Sequence, residues 1–245
     1  MVFLIASIIC SSTITLAMKY SENNNCNRYA VTVFNYLTGV IISFIMLNGK
    51  GLFHTDGDGV FALVMGIANG VFYVVSLLLM QHSIRKNGAP LTATFSRLGI
   101  LAPIIVSALF FSEVPGFVKT AGLICAVIAI ILMNGSTEGE LTSNVYLLFI
   151  VLITSGFVEL TAKLYSYYGN ESLQENYVFY TFVFALILSL VVMLIKNRSV
   201  GLNDIKAGLM VGIPNQLAAL MFLKAVGALP AYMVFPINGA AVILV

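Results

Sequence analysis

Long hydrophobic stretches alternate with short polar connectors along the whole chain. Each stretch holds about 17–22 residues, which as a helix crosses a hydrocarbon core of roughly 30 Å. The connectors are polar and none is long enough to form a soluble domain. The pattern therefore predicts an all-α, polytopic membrane helix bundle with nine helices near residues 2–18, 29–47, 59–80, 90–112, 116–134, 145–165, 177–195, 206–226 and 229–245.

The second half of the chain repeats the first. The segment Met-Gly-Ile-Ala-Asn at 65–69 returns as Val-Gly-Ile-Pro-Asn at 211–215, and Lys19 returns as Lys163. The remaining matches, which follow in chain order at offsets of 140 to 146 residues, are Val33-Phe34 with Val178-Phe179 and Pro90 with Pro230.

These matches align predicted helices 1–4 with helices 6–9, and helix 5 lies between them. A unit of five helices is odd, so the second copy enters the membrane from the opposite side. Such an inverted repeat is typical of transporters. We therefore predict a first repeat of five helices over 1–135 and a second, incomplete repeat of four helices over 136–245. Because helix 5 has no counterpart, we expect a chain that is truncated at its carboxyl end.

The composition excludes a soluble protein and several classes of function. Of the 245 residues, 60% are hydrophobic and only 9% are charged, whereas soluble domains carry about a quarter charged residues. The net charge of +2 is scattered, so we predict no nucleic-acid partner. The sequence contains no metal-ligand spacing, phosphate-binding loop or nucleophile motif. We therefore predict no cofactor, no metal and no enzymatic activity.

One segment resembles a known transporter family. The stretch from Pro103 to Glu113, Pro-Ile-Ile-Val-Ser-Ala-Leu-Phe-Phe-Ser-Glu, is followed from Gly122 by an apolar run. Together they resemble the end of the repeat in EamA-type transporters of the drug/metabolite transporter superfamily. The resemblance implies ten helices, secondary transport, and a central cavity lined by both halves. This chain departs from that pattern by ending before a tenth helix and a second Glu.

Two asparagines are candidates for substrate binding. Asn69 and Asn215 each lie about ten residues into a predicted helix, or roughly 15 Å deep, close to the membrane midplane. A carboxamide offers donors and acceptors that suit a zwitterionic or hydroxylated solute. Gln216 adds a third amide, and Pro214 removes a backbone donor beside them. The alternative is that these amides only bridge packed helices.

Arg97 and Glu159 are the charges predicted to lie deepest. By helix parity about 12 Å of depth separates them, which argues against a direct pair. Glu159 has a nearer partner in Lys163, four residues later in the favoured order. The functional alternative is that Glu159 is protonatable and couples proton flow to transport. Arg97 either snorkels to its own face or contacts an anionic substrate, and Tyr73 either lines a cavity or packs.

Other polar residues have structural interpretations. We expect Glu113 to cap the turn after the fourth predicted helix, and Lys19 and Lys163 to anchor helix ends at the headgroups. Small-residue faces could support a homodimer, although we find no strong Gly-x-x-x-Gly motif. Positive charges favour an external amino terminus whereas the family resemblance implies an internal one, so the orientation stays open.

The resulting hypothesis is a secondary carrier that moves a small metabolite or drug-like solute by alternating access. Its expected partners are that solute and the lipid bilayer. The family resemblance implies a multi-pass protein of the bacterial plasma (inner) membrane. Proton coupling rests on Glu159. The alternative is a truncated membrane fragment or assembly partner that does not transport.

Overall fold

The computed structural model describes residues 1–49, 51–113, 116–117, 120–122, 124–125, 128 and 144–241. Within these ranges every regular element is helical. The elements are α1 (Val2–Asn23), α2 (Arg28–Leu47), α3 (Gly57–Asn87), α4 (Ala89–Leu98), α5 (Leu101–Phe110), α6 (Val145–Tyr168), a 3₁₀ turn (Glu171–Leu173), α7 (Gln174–Lys196), α8 (Leu202–Ala228) and α9 (Ala231–Ala241).

Six segments of the described chain are long and apolar enough to cross a membrane. They confirm an all-helical membrane protein but not the predicted count of nine helices. Val2–Met18 is a shorter apolar helix, the predicted helix at 116–134 lies largely outside the described residues, and that at 229–245 lies partly outside them. The six segments are Arg28–Leu47, Gly57–Ile84, Leu91–Phe110, Val145–Tyr168, Glu171–Lys196 and Leu202–Ala228.

The predicted helix at 90–112 is interrupted in its middle, between α4 and α5. Pro103 has no N–H to donate to the carbonyl of Gly99, and its ring would clash with that carbonyl in a regular helix. The Gly99 oxygen instead accepts a bond from the Ala102 nitrogen at 3.0 Å. The junction also lies against α6: a Cβ atom at Gly99 would be 2.8 Å from the Gly156 nitrogen. Glycine at position 99 therefore permits this close approach.

The chain forms two compact units, which we describe separately. Unit 1 consists of Met1–Val71 and Leu164–Ala225, and unit 2 consists of the described parts of Phe72–Lys163 and of 226–241. Unit 1 thus holds α1, α2, α7, the first half of α3 and most of α8, and the rest of α3 belongs to unit 2. Unit 2 holds α4, α5, α9 and most of α6.

Unit 1 is packed through glycines. In α3, Gly66 faces α7, and a Cβ atom there would lie 2.6 Å from the Cβ of Tyr180. In α8, Gly212 faces α2, and a Cβ atom there would lie 2.6 Å from the Cβ of Thr38. Both glycines belong to Gly-x-x-x-Gly segments, at 66–70 and 208–212. From the sequence we found no strong Gly-x-x-x-Gly motif for a homodimer, and these two motifs pack helices inside one chain.

Two equivalent hydrogen bonds join helix ends in unit 1. The backbone nitrogen of Asn27, which caps α2, donates to Asp204 at the start of α8 at 2.8 Å. The side chain of Asn170, which caps the 3₁₀ turn before α7, donates to Asp58 at the start of α3 at 2.7 Å. Asp58 and Asp204 are 146 residues apart, the same separation as Asn69 and Asn215. The two bonds therefore occupy matching positions of the sequence repeat.

Candidate functional site

The candidate amides all lie in unit 1, where they contact neighbouring helices. Asn69 is 5% exposed and donates to the Thr181 hydroxyl of α7 at 3.5 Å. Asn215 is half-buried and donates to the Asn35 side chain of α2 at 3.0 Å. Each asparagine thus lies on the glycine-packed face of its own helix. Both asparagines make interhelical hydrogen bonds, and substrate binding stays a prediction for them.

Two further residues beside Asn215 were predicted to contribute to the site. Gln216 is 1% exposed, and its Oε1 atom has no hydrogen-bond partner among the described residues. Pro214 is buried within α8, which continues as a single helix from Leu202 to Ala228. An unpaired buried oxygen is costly to keep. Gln216 therefore has acceptor capacity left for a solute, as does Asn176, whose Oδ1 atom is also unpaired among the described residues.

A cluster of ionisable side chains lies in unit 2, beside the interruption between α4 and α5. Arg97 is in the last turn of α4, Glu159 is on α6 and Tyr73 is on α3; all three are half-buried. The charge of Glu159 acts on both Arg97 and the Tyr73 hydroxyl. From the sequence we predicted that Arg97 and Glu159 lie apart in depth, and that Glu159 either pairs with Lys163 or carries a proton. The structure instead brings Arg97, Glu159 and Tyr73 within electrostatic reach of one another.

Packing contacts fix the three helices on either side of this cluster. Phe72 of α3 stacks on Phe157 of α6, with ring centroids 5.1 Å apart. Phe95 of α4 meets Phe149 of α6 edge-on, with centroids 5.6 Å apart. Each pair includes a residue within two positions of a member of the cluster. The aromatic contacts therefore hold α3 and α4 against α6 where the charges lie.

The backbone carbonyls next to Arg97 accept hydrogen bonds from α6 and from within the interruption. The Ser96 carbonyl accepts a bond from the Ser155 hydroxyl of α6 at 2.9 Å and another from the Gly99 nitrogen at 3.2 Å. The nitrogen of Ile100 donates to the Arg97 carbonyl at 3.2 Å. Interrupted helices whose backbone groups accompany polar side chains are a common element of transporter binding sites.

Lys163 and Glu113 do not occupy their predicted places. The Lys163 side chain is 3% exposed, and its Nζ atom donates to Glu113 Oε1 at 2.6 Å. It is therefore neither a headgroup anchor nor the partner of Glu159. The Oε2 atom of Glu113 accepts a bond from the Ala231 nitrogen at 2.8 Å. Glu113 thus caps α9 and not the turn that follows α5. The side chain of Lys19 lies outside the described side chains.

Sequence reasoning missed this ion pair because its members are 50 residues apart. One signal could have indicated it. A lysine inside a long apolar segment needs a buried carboxylate, and Glu113 also adjoins an apolar run. The identity of the partner still depends on which helices pack together, and a single sequence does not contain that information.

The chemistry of the two regions differs. Unit 2 combines a cation, a carboxylate and a phenol beside an interrupted helix, a set that can hold a zwitterionic solute and exchange a proton. Unit 1 offers neutral amides and hydroxyls. Among the described residues, no group of three His, Cys, Asp or Glu side chains is placed to hold a metal ion.

The described helices and their embedded polar groups define an integral, multi-pass membrane protein. The EamA-like transporter family model matches residues 1–135, which is more than half of the chain. The chain therefore belongs to the EamA-like transporter family, within the drug/metabolite transporter superfamily. This confirms the resemblance found in the sequence. The protein is consistent with a transporter, and its family is one of transporters and not of enzymes.

Two further similarities extend over most of the chain. An uncharacterized protein from Haemophilus influenzae is 24% identical over 234 residues, covering 91% of this chain and 78% of that protein. A solved crystal structure matches with a TM-score of 0.76 at 14% identity, covering 98% of this chain and 83% of the other. At that identity the second similarity shows a shared fold alone.

Proposed function

We propose that this protein is a secondary carrier that moves a small zwitterionic or hydroxylated metabolite by alternating access. The observation that carries the proposal is the cluster of Arg97, Glu159 and Tyr73 beside the interrupted span. Charged side chains in a membrane are costly, and their presence in a span points to a function. Family membership supports transport as that function.

Each member of the cluster has an assigned role. Arg97 binds the anionic group of the solute, and the Tyr73 hydroxyl orients it through a hydrogen bond. Glu159 carries the coupling proton. Because the Glu159 charge acts on Arg97, an anionic group that binds Arg97 changes the electrostatic environment of the Glu159 carboxyl. Solute binding and proton binding are therefore thermodynamically linked.

The amides of unit 1 have a different assignment. The bonds from Asn69 to Thr181 and from Asn215 to Asn35 favour the packing alternative for both asparagines. Gln216 keeps a free acceptor, so it is the amide that we retain as a candidate for solute contact.

The test is a transport assay with purified protein in proteoliposomes that contain a fluorescent pH indicator. The probes are the common amino acids, four ribonucleosides and several hexoses, each added to the outside at fixed pH. We expect at least one probe to drive proton movement in the wild type and none to do so in Glu159→Gln. Glu175→Gln is the matched control, because Glu175 lies in unit 1, outside the cluster, where it contacts Lys224 at 3.9 Å.

The possible outcomes separate the alternatives. Uptake of a probe without proton movement in the wild type would remove proton coupling and leave a uniporter or exchanger. Proton movement that persists in Glu159→Gln would remove Glu159 from the mechanism. No uptake of any probe, with correctly folded protein, would favour the non-transporting assembly partner.

Residence and assembly are further parts of the proposal. We propose the bacterial plasma membrane as the site of residence, which fractionation of the native host tests. A homodimer stays a prediction. The two Gly-x-x-x-Gly segments give it no support, because both pack against helices of their own unit.

A further inference from the structure

Glu113, which is half-buried, and Lys163, which is buried, form a joint between three elements of unit 2. Lys163, on α6, donates to one oxygen of the Glu113 carboxylate, and the Ala231 nitrogen at the start of α9 donates to the other. The Lys163 Nζ atom also lies 5.8 Å from the centroid of the Phe111 ring. Both carboxylate oxygens are thus occupied by donors from different helices.

The backbone positions Glu113 for this contact. Helix α5 ends at Phe110, and Ser112 then adopts a left-handed conformation with φ of 56°. The Glu113 nitrogen donates back to the Ser107 carbonyl at 3.2 Å. These backbone contacts position the Glu113 carboxylate to face the positive end of α9 and the ammonium of Lys163.

Lys163 has a second carboxylate within reach on its own helix. Glu159 lies four residues earlier, which places it one turn away on the same face of α6. The order Glu then Lys at this spacing is the one that favours an ion pair. In the structure Lys163 bonds to Glu113, while Glu159 acts on Arg97 and Tyr73.

We propose that Glu113 is a positioning residue for the transport site, because it holds Lys163 away from Glu159. Without the Glu113 carboxylate, the buried ammonium of Lys163 has no counterion and turns to Glu159. The Glu159 carboxylate is then neutralised by a permanent cation, and Arg97 loses its anionic neighbour. The expected effect on transport rests on the proposed function of Glu159. The change of partner by Lys163, from Glu113 to Glu159, does not depend on that function.

The switch can be detected without any substrate. Dicyclohexylcarbodiimide activates a buried carboxyl, and an amine in contact with it displaces the urea, giving an amide with net loss of one water. Peptide mass spectrometry of wild-type protein should find residue 163 linked to 113. In Glu113→Gln it should find residue 163 linked to 159, and the variant Glu113→Gln/Glu159→Gln should show neither link. A folded Glu113→Gln protein without the new link would overturn the proposal.

Transport gives an independent test through suppression. Glu113→Gln should lower coupled uptake of the active probe by at least about tenfold, the effect of roughly 1.4 kcal/mol. Adding Lys163→Gln should restore uptake, because the competing ammonium is gone, and Lys163→Gln alone should stay close to wild type. A merely structural joint predicts the reverse: Lys163→Gln alone is impaired and the double variant is no better than Glu113→Gln.

The design remains decisive if Glu113→Gln fails to fold. Lys163→Gln leaves Glu113 free to cap α9, and a folded Lys163→Gln protein with lost uptake would contradict the proposal. If no probe is transported by the wild type, the proposed function fails while the carbodiimide result still decides the exchange of partners. Lys224→Gln serves as the control for removing a lysine from a contact outside the joint.

Discussion

Unit 1 and unit 2 satisfy their polar groups in different ways. In unit 1, asparagines and threonines bond across helices that glycines bring close together, as in the contact of Asn215 with Asn35. In unit 2, Arg97 and Glu159 lie half-buried beside an interrupted helix. Neutral side chains in tight interhelical contacts can keep the same hydrogen-bond partners throughout a transport cycle. Charges beside an interrupted helix can change partners, which a transport cycle needs.

From this difference we assign a structural role to unit 1 and the binding of solute and proton to unit 2. The assignment can be broken by showing that unit 1 binds the solute, or that the unit 2 charges are dispensable.

The largest effect should come from Arg97. Replacing it with Gln removes the cation that binds the anionic group of the solute in the proposed mechanism, and a hydrogen bond to a charged group contributes about 1.5–3 kcal/mol. We expect kcat/KM for the active probe to fall by about 100-fold, while the thermal unfolding temperature changes little because the group is half-buried. Initial rates in proteoliposomes, paired with scanning fluorimetry, measure both. Unchanged transport in Arg97→Gln would argue that the solute binds in unit 1 instead.

A comparable effect, on stability alone, should come from the glycine contacts. Gly212→Leu forces a side chain into the Thr38 and Asn35 surface of α2, and overpacking costs about 1–3 kcal/mol. We expect a clear loss of thermal stability with normal KM in the protein that remains folded. Gly57→Leu is the matched control, because no atom lies within 4 Å of a Cβ placed there. A raised KM in folded Gly212→Leu would argue that this face serves the solute.

The smallest effects should come from the asparagines. Interhelical hydrogen bonds in membrane proteins contribute about 0.6 kcal/mol on average, so Asn69→Ala and Asn215→Ala should each lower stability slightly. Their KM values should stay within about twofold of the wild type, whereas Gln216→Ala should raise KM if its free oxygen binds the solute. Substrate titrations of the three variants compare them directly. A large rise in KM for both asparagine variants would overturn the division between the units.

The sequence predicted some of these features and not others, for identifiable reasons. Apolar runs mark spans such as Arg28–Leu47 because burial in lipid constrains every residue of a span. The interruption at Gly99 was missed, although Pro103 was a local signal for it. The partner of Lys163 was missed because a helical spacing rule favoured Glu159, and tertiary packing then supplied Glu113. The sequence pattern thus located the polar side chains, whereas tertiary packing determined which of them pair.

Proton exchange on solute binding is the most direct measure of the central claim. Purified protein in weakly buffered detergent solution, mixed with the active probe at the same pH, reports protons taken up or released through an indicator dye. We predict an exchange on the order of one proton per bound solute in the wild type and in Asn69→Ala, because binding at linked sites is reciprocal. We predict none in Glu159→Gln. Equal exchange in wild type and Glu159→Gln would contradict the account.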